Sequence, residues 1–258
     1  MACLPYNEGV KPEIIHQLID LNHQFYQTFS GAFSQTRARV QPGVRRAMAG
    51  IPPYGNWLDV GCGNGSVARA WAADQRTGLY YGVDFSEGLL NEARSLQGGV
   101  PPGLEIKFDL TDLTQPGWSQ PLVDVQWDGA LALAVLHHIP GAEIRLNLLR
   151  EIASLLSDGA IFIISVWQFT TSPRWLARVL PWETVGVDAD DVESGDTLLD
   201  WRASLPGQPE QVGYRYVHAF TPAELASLAE QAGFKVIETY ESDGANGRLG
   251  LYGVWKKL

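Results

Sequence analysis

Between residues 56 and 167, short apolar runs rich in β-branched and aromatic side chains alternate with longer segments in which apolar residues recur every three or four positions. The first pattern belongs to buried strands and the second to amphipathic helices. Strands are predicted at about 56–61, 78–84, 104–109, 128–134 and 160–167, with helices between them at 66–74, 87–96 and 142–156. In the last of these helices Ile144, Leu148, Ile152, Leu155 and Leu156 share a face, and Asp158-Gly159 supplies a stop. Regular alternation of strand and helix predicts a parallel sheet flanked by helices.

Outside this block the pattern changes. Near the N-terminus Leu18, Leu21, Phe25 and Phe29 recur at helical spacing with Tyr26 beside them, which predicts an amphipathic arm covering the open end of the sheet. Toward the other end, Thr221-Pro222-Ala223-Glu224 reads as a capped helix start, and that helix should stop at Gly233. Two strands at 235–241 and 249–256 follow, separated by the turn formers Ser242-Asp243-Gly244-Ala245-Asn246-Gly247, so an antiparallel pair should close the sheet. Residues 168–217 break the rhythm: they are acidic and rich in Pro, Gly and Trp, and long irregular segments in compact folds tend to be functional or disordered.

Charge narrows the field. The chain of 258 residues carries a formal net charge of −10, which argues against binding nucleic acid by bulk electrostatics. Residues 183–200 hold Glu183, Asp188, Asp190, Asp191, Glu193, Asp196 and Asp200 with no Lys or Arg, and the usual reading of such a run is a solvated acidic loop. The first 50 residues are slightly basic, with Lys11, Arg37, Arg39, Arg45 and Arg46 against Glu8, Glu13 and Asp20. The two cysteines, Cys3 and Cys62, are far apart and predict neither a disulfide nor a metal cluster. No apolar stretch is long enough to cross a bilayer and no signal pattern is evident, so a cytoplasmic protein with no membrane role and no metal is expected.

The chemistry gathers at strand ends. The first strand runs into Gly61-x-Gly63-x-Gly65 and then a helix, so backbone amides and a helix N-terminus face a ligand that approaches where side chains are absent. Asp59, just before the loop, would repel a pyrophosphate but orients a cationic ammonium, and Ser66 stands where a dinucleotide fingerprint wants Gly or Ala; both count against a nicotinamide cofactor. Asp84 ends the second strand, placed to accept hydrogen bonds from ribose hydroxyls, with Phe85 beside it to pack on adenine. At the third strand end, Asp109 is the candidate acceptor for the adenine amine and Leu110 the candidate for the ring's edge. Any one of these carboxylates is equally a turn former; three at successive strand ends are not.

Leu58-Asp59-Val60-Gly61-Cys62-Gly63-Asn64-Gly65, Gly82-Val83-Asp84-Phe85-Ser86 and Ala134-Val135-Leu136-His137-His138-Ile139 resemble the successive motifs of class I S-adenosylmethionine-dependent methyltransferases. The resemblance implies an α/β fold with a doubly wound, mostly parallel seven-stranded Rossmann-like sheet, an antiparallel last strand, and S-adenosyl-L-methionine as cofactor. The chain then divides into a helical cap, 1–50, and a methyltransferase core, 51–258, with 168–220 as lid and acidic insertion. Phe33-Ser34-Gln35-Thr36-Arg37, Val179-Leu180-Pro181-Trp182 and Tyr214-Arg215-Tyr216-Val217-His218-Ala219-Phe220 resemble one branch, the tRNA wobble-uridine methyltransferases that esterify a carboxymethyluridine.

A carboxylate acceptor needs no base and wants a cation to align it, for which Arg37 and Arg215 are the candidates. An amine, phenol or carbon acid would need a base, with His138 or His218 available. Arg37 is equally a candidate to cap a helix or hold the cofactor carboxylate, and His137 and His138 to pack behind the strand. Trp182, Tyr214 and Tyr216 are candidates either to stack on a flipped base or to form the underside of the lid. The acceptor is then either tRNA, with a small protein activator supplying positive surface, or a small molecule; a non-catalytic cofactor-binding subunit is the remaining alternative.

Overall fold

The computed structural model describes residues 10–35, 39–95, 100–203 and 210–258. Seven strands form the main sheet in the order β3-β2-β1-β4-β5-β10-β9, from β1 (Trp57–Val60), β2 (Gly78–Asp84), β3 (Leu104–Leu110), β4 (Trp127–Leu133), β5 (Leu156–Trp167), β9 (Phe234–Ser242) and β10 (Gly250–Lys257). Strands β1 to β5 pair in parallel, and β10 enters antiparallel between β5 and β9. This is the doubly wound sheet expected, with its antiparallel closure.

Side-chain alternation in the strands assigns the faces. Leu58 and Val60 of β1 point to the side packed by α5 (Ala142–Leu155) and α7 (Pro222–Gln231), through Leu148, Leu149, Ile152, Leu225 and Leu228. Trp57 points to the other side, where Trp71 of α3 (Ser66–Ala73), Leu90 of α4 (Glu87–Arg94) and Met48 of α2 (Pro42–Ala49) pack. Helix α7 starts as expected, the Thr221 hydroxyl accepting from the Glu224 amide at 3.1 Å. The boundary between α5 and β5 falls earlier than predicted. The helix stops at Leu155, and Leu156 already pairs with Trp127 before an irregularity realigns Ile161 with Gly129.

The larger difference lies in residues 168–217, where no element was expected. After the short α6 (Pro173–Leu176), β6 (Val179–Leu180), β7 (Asp196–Ala203) and β8 (Gln211–His218) make a second, antiparallel sheet. Its strands lack polar alternation because both faces are covered. Leu198 and Tyr216 pack against Leu18 and Trp182, while the next residues, Leu199 and Val217, pack against Phe169. Trp182 and Tyr216 therefore form the buried underside of this sheet, while Tyr214 stays exposed.

Helix α1 (Pro12–Gln35) lies against β8 and α4. Buried Asn22 fastens it: its carbonyl accepts from the Tyr216 amide at 2.9 Å, and its NH2 donates to the carbonyls of Tyr216 at 3.2 Å and His138 at 2.9 Å. One side chain thus joins α1, the second sheet and the loop after β4.

The acidic run is a solvated loop only in part: Glu183, Asp188 and Asp190 are exposed, whereas the carboxylates that follow find partners. Asp200 is buried and accepts from Arg178 and Arg202. Glu193 pairs with Arg145 and caps α5 through the Ala142 amide at 2.7 Å, and Asp191 pairs with Lys11. Carboxylates placed opposite cations and helix amides need no water to satisfy them.

Candidate functional site

A cavity of about 730 Å³ opens at the C-terminal ends of the parallel strands, where doubly wound sheets bind ligands, and falls within the usual range for ligand sites, roughly 300–1,000 Å³. Gly61 and Gly63 line its floor. Gly61 sits at φ +76°, and a Cβ there would run into Val135 Cγ2; at Gly63, φ +55°, a Cβ would meet nothing within 4 Å among the described residues, so the backbone there lies open to the cavity. Gly65 does not line the cavity; its role is the left-handed N-cap of α3, φ +72°.

Asp84 is buried at the end of β2, with one oxygen accepting from the Gly63 amide at 2.9 Å and the other from the Ser86 amide at 2.9 Å. A carboxylate has about four lone-pair sites, so both oxygens retain capacity for a diol. Burial raises its pKa, and the amides of Ser86, Gly63 and Phe85 hold it back. Asp59, on the face of β1 shared with Trp57, accepts from the Tyr80 hydroxyl; burial pushes its pKa up to about 7, with Tyr80 opposing and nearby Asp84 adding to the rise. Phe85 lines the cavity, stacked on His23 of α1 with centroids 4.5 Å apart.

Asp109 and Leu110 are not brought to the cavity. Phe108 packs inward toward α4, so the pleat turns Asp109 to the opposite face, where it accepts from the Tyr81 hydroxyl, and Leu110 is 56% exposed. Strand β3 runs one residue further than predicted, and the residues that fold back over the cavity are Asp112, Leu113 and Thr114. The signal was present as a second Asp-Leu pair three residues on, Asp112-Leu113 after Asp109-Leu110.

Among the other candidates, His138 lines the cavity beside Tyr26. Its Nδ1 lies 3.3 Å from the Tyr216 carbonyl, which must accept, so in the neutral ring Nδ1 carries the proton and Nε2 accepts from the Tyr26 hydroxyl at 2.9 Å. Arg215, only 3% exposed, faces the cavity from β8 with its guanidinium 4.7 Å from the Trp167 ring centroid and 5.6 Å from that of Phe25. His218 does not reach the cavity. Its Nδ1 lies 2.6 Å from Asp196 and its Nε2 2.9 Å from Glu224; burial lowers its pKa, but these two carboxylates outweigh it and leave the pKa raised. An imidazole held between two acids on the second sheet is a structural ion pair, not a base for a ligand it does not touch. Arg37 lies outside the described residues.

Sequence reading missed several cavity residues. Ala134, at the end of β4, holds φ +60°, and its amide faces the Ser165 carbonyl and hydroxyl, both at 3.0 Å. A non-glycine residue in that region is uncommon and marks a constrained position. Arg174, Trp175, Arg178, Trp201 and Arg202 also line the cavity, all from the segment with no predicted elements.

The arrangement holds buried carboxylates at the ends of the main sheet and arginines with tryptophans on the side of the second sheet. Such a cavity suits a cationic ligand at one end and an anionic one at the other.

Comparison with known proteins follows the same lines. The family described as a methyltransferase domain matches residues 32–239. A tRNA (carboxymethyluridine(34)-5-O)-methyltransferase of Schizosaccharomyces pombe is 25% identical over 232 residues, covering 84% of this chain and 89% of that protein. Its namesake from Saccharomyces cerevisiae is 30% identical over 146 residues, covering 56% of this chain and 47% of that protein, so the match spans under half of that relative's length. A solved S-adenosylmethionine-dependent methyltransferase from Clostridium acetobutylicum superposes with a TM-score of 0.64 at 12% identity, covering 90% of this chain and 98% of that one, a likeness of fold.

Proposed function

The chain belongs to the methyltransferase-domain family, and from that premise we propose that it esterifies a carboxylate, the carboxymethyl group of a tRNA wobble uridine. It is an S-adenosylmethionine-dependent methyltransferase. The residues present fit that cofactor: Gly61 and Gly63 leave backbone exposed where a Cβ would clash or fill space, Asp84 offers acceptors for the ribose, and Asp59 a carboxylate for the ammonium. We assign the adenine edge to Asp112 and Leu113 in place of Asp109 and Leu110. Bound there, S-adenosylmethionine supplies an electrophilic methyl group.

The observation that carries the acceptor reading is Arg215, a buried guanidinium on the cavity wall. A carboxylate is already a nucleophile, so the enzyme needs only to desolvate and aim it, and a planar fork of donors does both. Phe25 and Trp167 hold that fork in place. His138, its ring fixed between the Tyr216 carbonyl and the Tyr26 hydroxyl, is better placed to position Tyr26 than to abstract a proton. A tRNA acceptor agrees with the cytoplasmic location expected from sequence, where a small activator would add positive surface to an acidic chain. The net charge of −10 favours a second reading, a small-molecule carboxylate as acceptor.

The test is transfer of labelled methyl into tRNA carrying carboxymethyluridine and, in parallel, into a small-molecule extract. Alkali-labile label in tRNA is expected; label confined to small molecules would discard tRNA. With Arg215→Gln, turnover should fall about 100-fold, the size of a lost charge-assisted pair, with cofactor affinity within about twofold. Equal losses in both would move Arg215 to the cofactor.

A further inference from the structure

We infer that Arg174, Arg178 and Arg202 form a phosphate-reading rim that holds the RNA backbone beside the methylated nucleotide, an inference that rests on the tRNA reading above. The carboxylates that line the cavity, Asp59, Asp84, Asp112 and Asp243, come from the ends and turns of the main sheet. Among the described residues its cations are all arginines: Arg39 from the connection before α2, Arg174 from α6, Arg178 from the turn between α6 and β6, Arg202 from β7 and Arg215 from β8. Five of the chain's 19 basic residues thus meet at one opening of a molecule whose net charge is −10.

Depth separates these arginines by role. Arg215 is buried, suited to one carboxylate inside the cavity, whereas Arg174 and Arg202 are exposed and Arg178 is half-buried. A small carboxylate needs one guanidinium; a set continuing outward to solvent suits an anion with repeated charges, and guanidinium geometry matches phosphate. The rim is also built. Buried Asp200 accepts from Arg202 Nε at 2.6 Å and Arg178 Nη1 at 3.4 Å, and its amide donates to the Arg178 carbonyl at 3.0 Å, which fixes both arginines to β7. The Trp175 ring lies 5.3 Å from the Arg174 guanidinium and 5.9 Å from that of Arg178. Arg202 reaches Glu210 at 3.1 Å as well, so the rim arginines are held in place by carboxylates while their remaining N–H donors face the opening.

Neutralising a single strand's phosphates contributes a slope of about −0.7 in log affinity against log salt per contact. The experiment measures binding of an anticodon stem-loop bearing carboxymethyluridine by fluorescence anisotropy from 50 to 300 mM salt, with S-adenosylhomocysteine present. Wild type should show a steep slope, and the triple variant Arg174→Gln, Arg178→Gln, Arg202→Gln a slope shallower by about 2. Because Arg178 and Arg202 neutralise buried Asp200, Arg174→Gln alone serves as the mild variant, expected to flatten the slope by about 0.7, with Arg174→Lys restoring it. Arg150→Gln, on the exposed face of α5, should leave it unchanged. A slope that Arg174→Gln and the triple variant leave intact, or a wild type that binds the stem-loop without salt dependence, overturns the rim. Methylation of tRNA with an unaltered slope would retain the proposed function and discard this inference; a rim-dependent slope without methylation would do the reverse.

Discussion

At one end of the cavity the functional groups are backbone amides and carboxylates set at or just beyond the ends of β1, β2 and β3; at the other they are arginines and tryptophans from α6, β7 and β8, which meet only once a second sheet has formed. The first end is local. Gly61, Gly63 and Asp84 are placed by two adjacent strands whose pairing aligns Val60 with Val83. The second depends on contacts between residues far apart in sequence, such as Asn22 with Tyr216 and Arg178 with Asp200. A site of the first kind is rigid before ligand arrives, whereas one of the second kind is only as ordered as the packing of Leu18, Trp182, Leu198 and Tyr216 beneath it.

The sharpest division between the two ends comes from Asp84→Ala. Two charge-assisted hydrogen bonds to a ribose are worth roughly 3–6 kcal/mol together, so cofactor affinity by calorimetry should fall at least about 100-fold. The variant also strips the Gly63 and Ser86 amides of their acceptor, adding to the loss. Near-normal binding would remove Asp84 from the cofactor end altogether.

Beneath the arginine end, Leu198→Ala should cost about 2–5 kcal/mol in urea unfolding, because Leu198 is fully buried among large neighbours that relax only partly around the void. If the two ends are separable, acceptor turnover should fall in the folded variant while cofactor affinity changes less than about tenfold. Parallel loss of both would show that α1, which touches Phe85 through His23 and Tyr26, transmits damage from one end to the other.

The same contrast explains what was legible in the sequence. Strand alternation and the glycine loop announce the main sheet, because each strand carries its own signal within a few residues. Residues 196–218 carry none. Leu198 and Leu199 face opposite covered sides, so the period-2 pattern that marks a half-exposed strand is missing. The acidic run looked like a solvated loop because its partners, Arg145, Arg178 and His218, lie outside it in sequence. His218 failed as a candidate for the same reason: its motif is visible, but the Asp196 and Glu224 that occupy its ring are not. At the third strand, two Asp-Leu pairs were on offer, and only the pleat distinguishes them.

A pH titration probes the carboxylate end alone. Burial keeps Asp59 protonated up to about pH 7, and an ammonium group favours its ionised form, so cofactor binding should release a proton. Affinity should therefore rise as pH increases toward 7 and level off above it, being roughly tenfold weaker at pH 6 than on the plateau. In Asp59→Asn the dependence should vanish. A flat profile in wild type would place the ammonium elsewhere.

The smallest effect tests the correction at the third strand. Asp112 accepts from the Thr114 amide at 3.0 Å and its hydroxyl at 2.6 Å, both through Oδ1, and lines the cavity; Asp109 spends its carboxylate on Tyr81 at the outer face. Asp112→Asn keeps an oxygen for the adenine amine but turns a charge-assisted bond into a neutral one, a loss of about 0.5–1.5 kcal/mol, so cofactor binding should weaken roughly two- to tenfold. Asp109→Asn should leave it within about twofold and show instead a small change in stability, since the Tyr81 hydroxyl keeps an amide oxygen as acceptor. If Asp109→Asn proves the more damaging of the pair, β3 must end a residue earlier in the liganded enzyme. Asp109 and Leu110 would then swing in to the adenine, making the carboxylate end less preformed than its geometry implies.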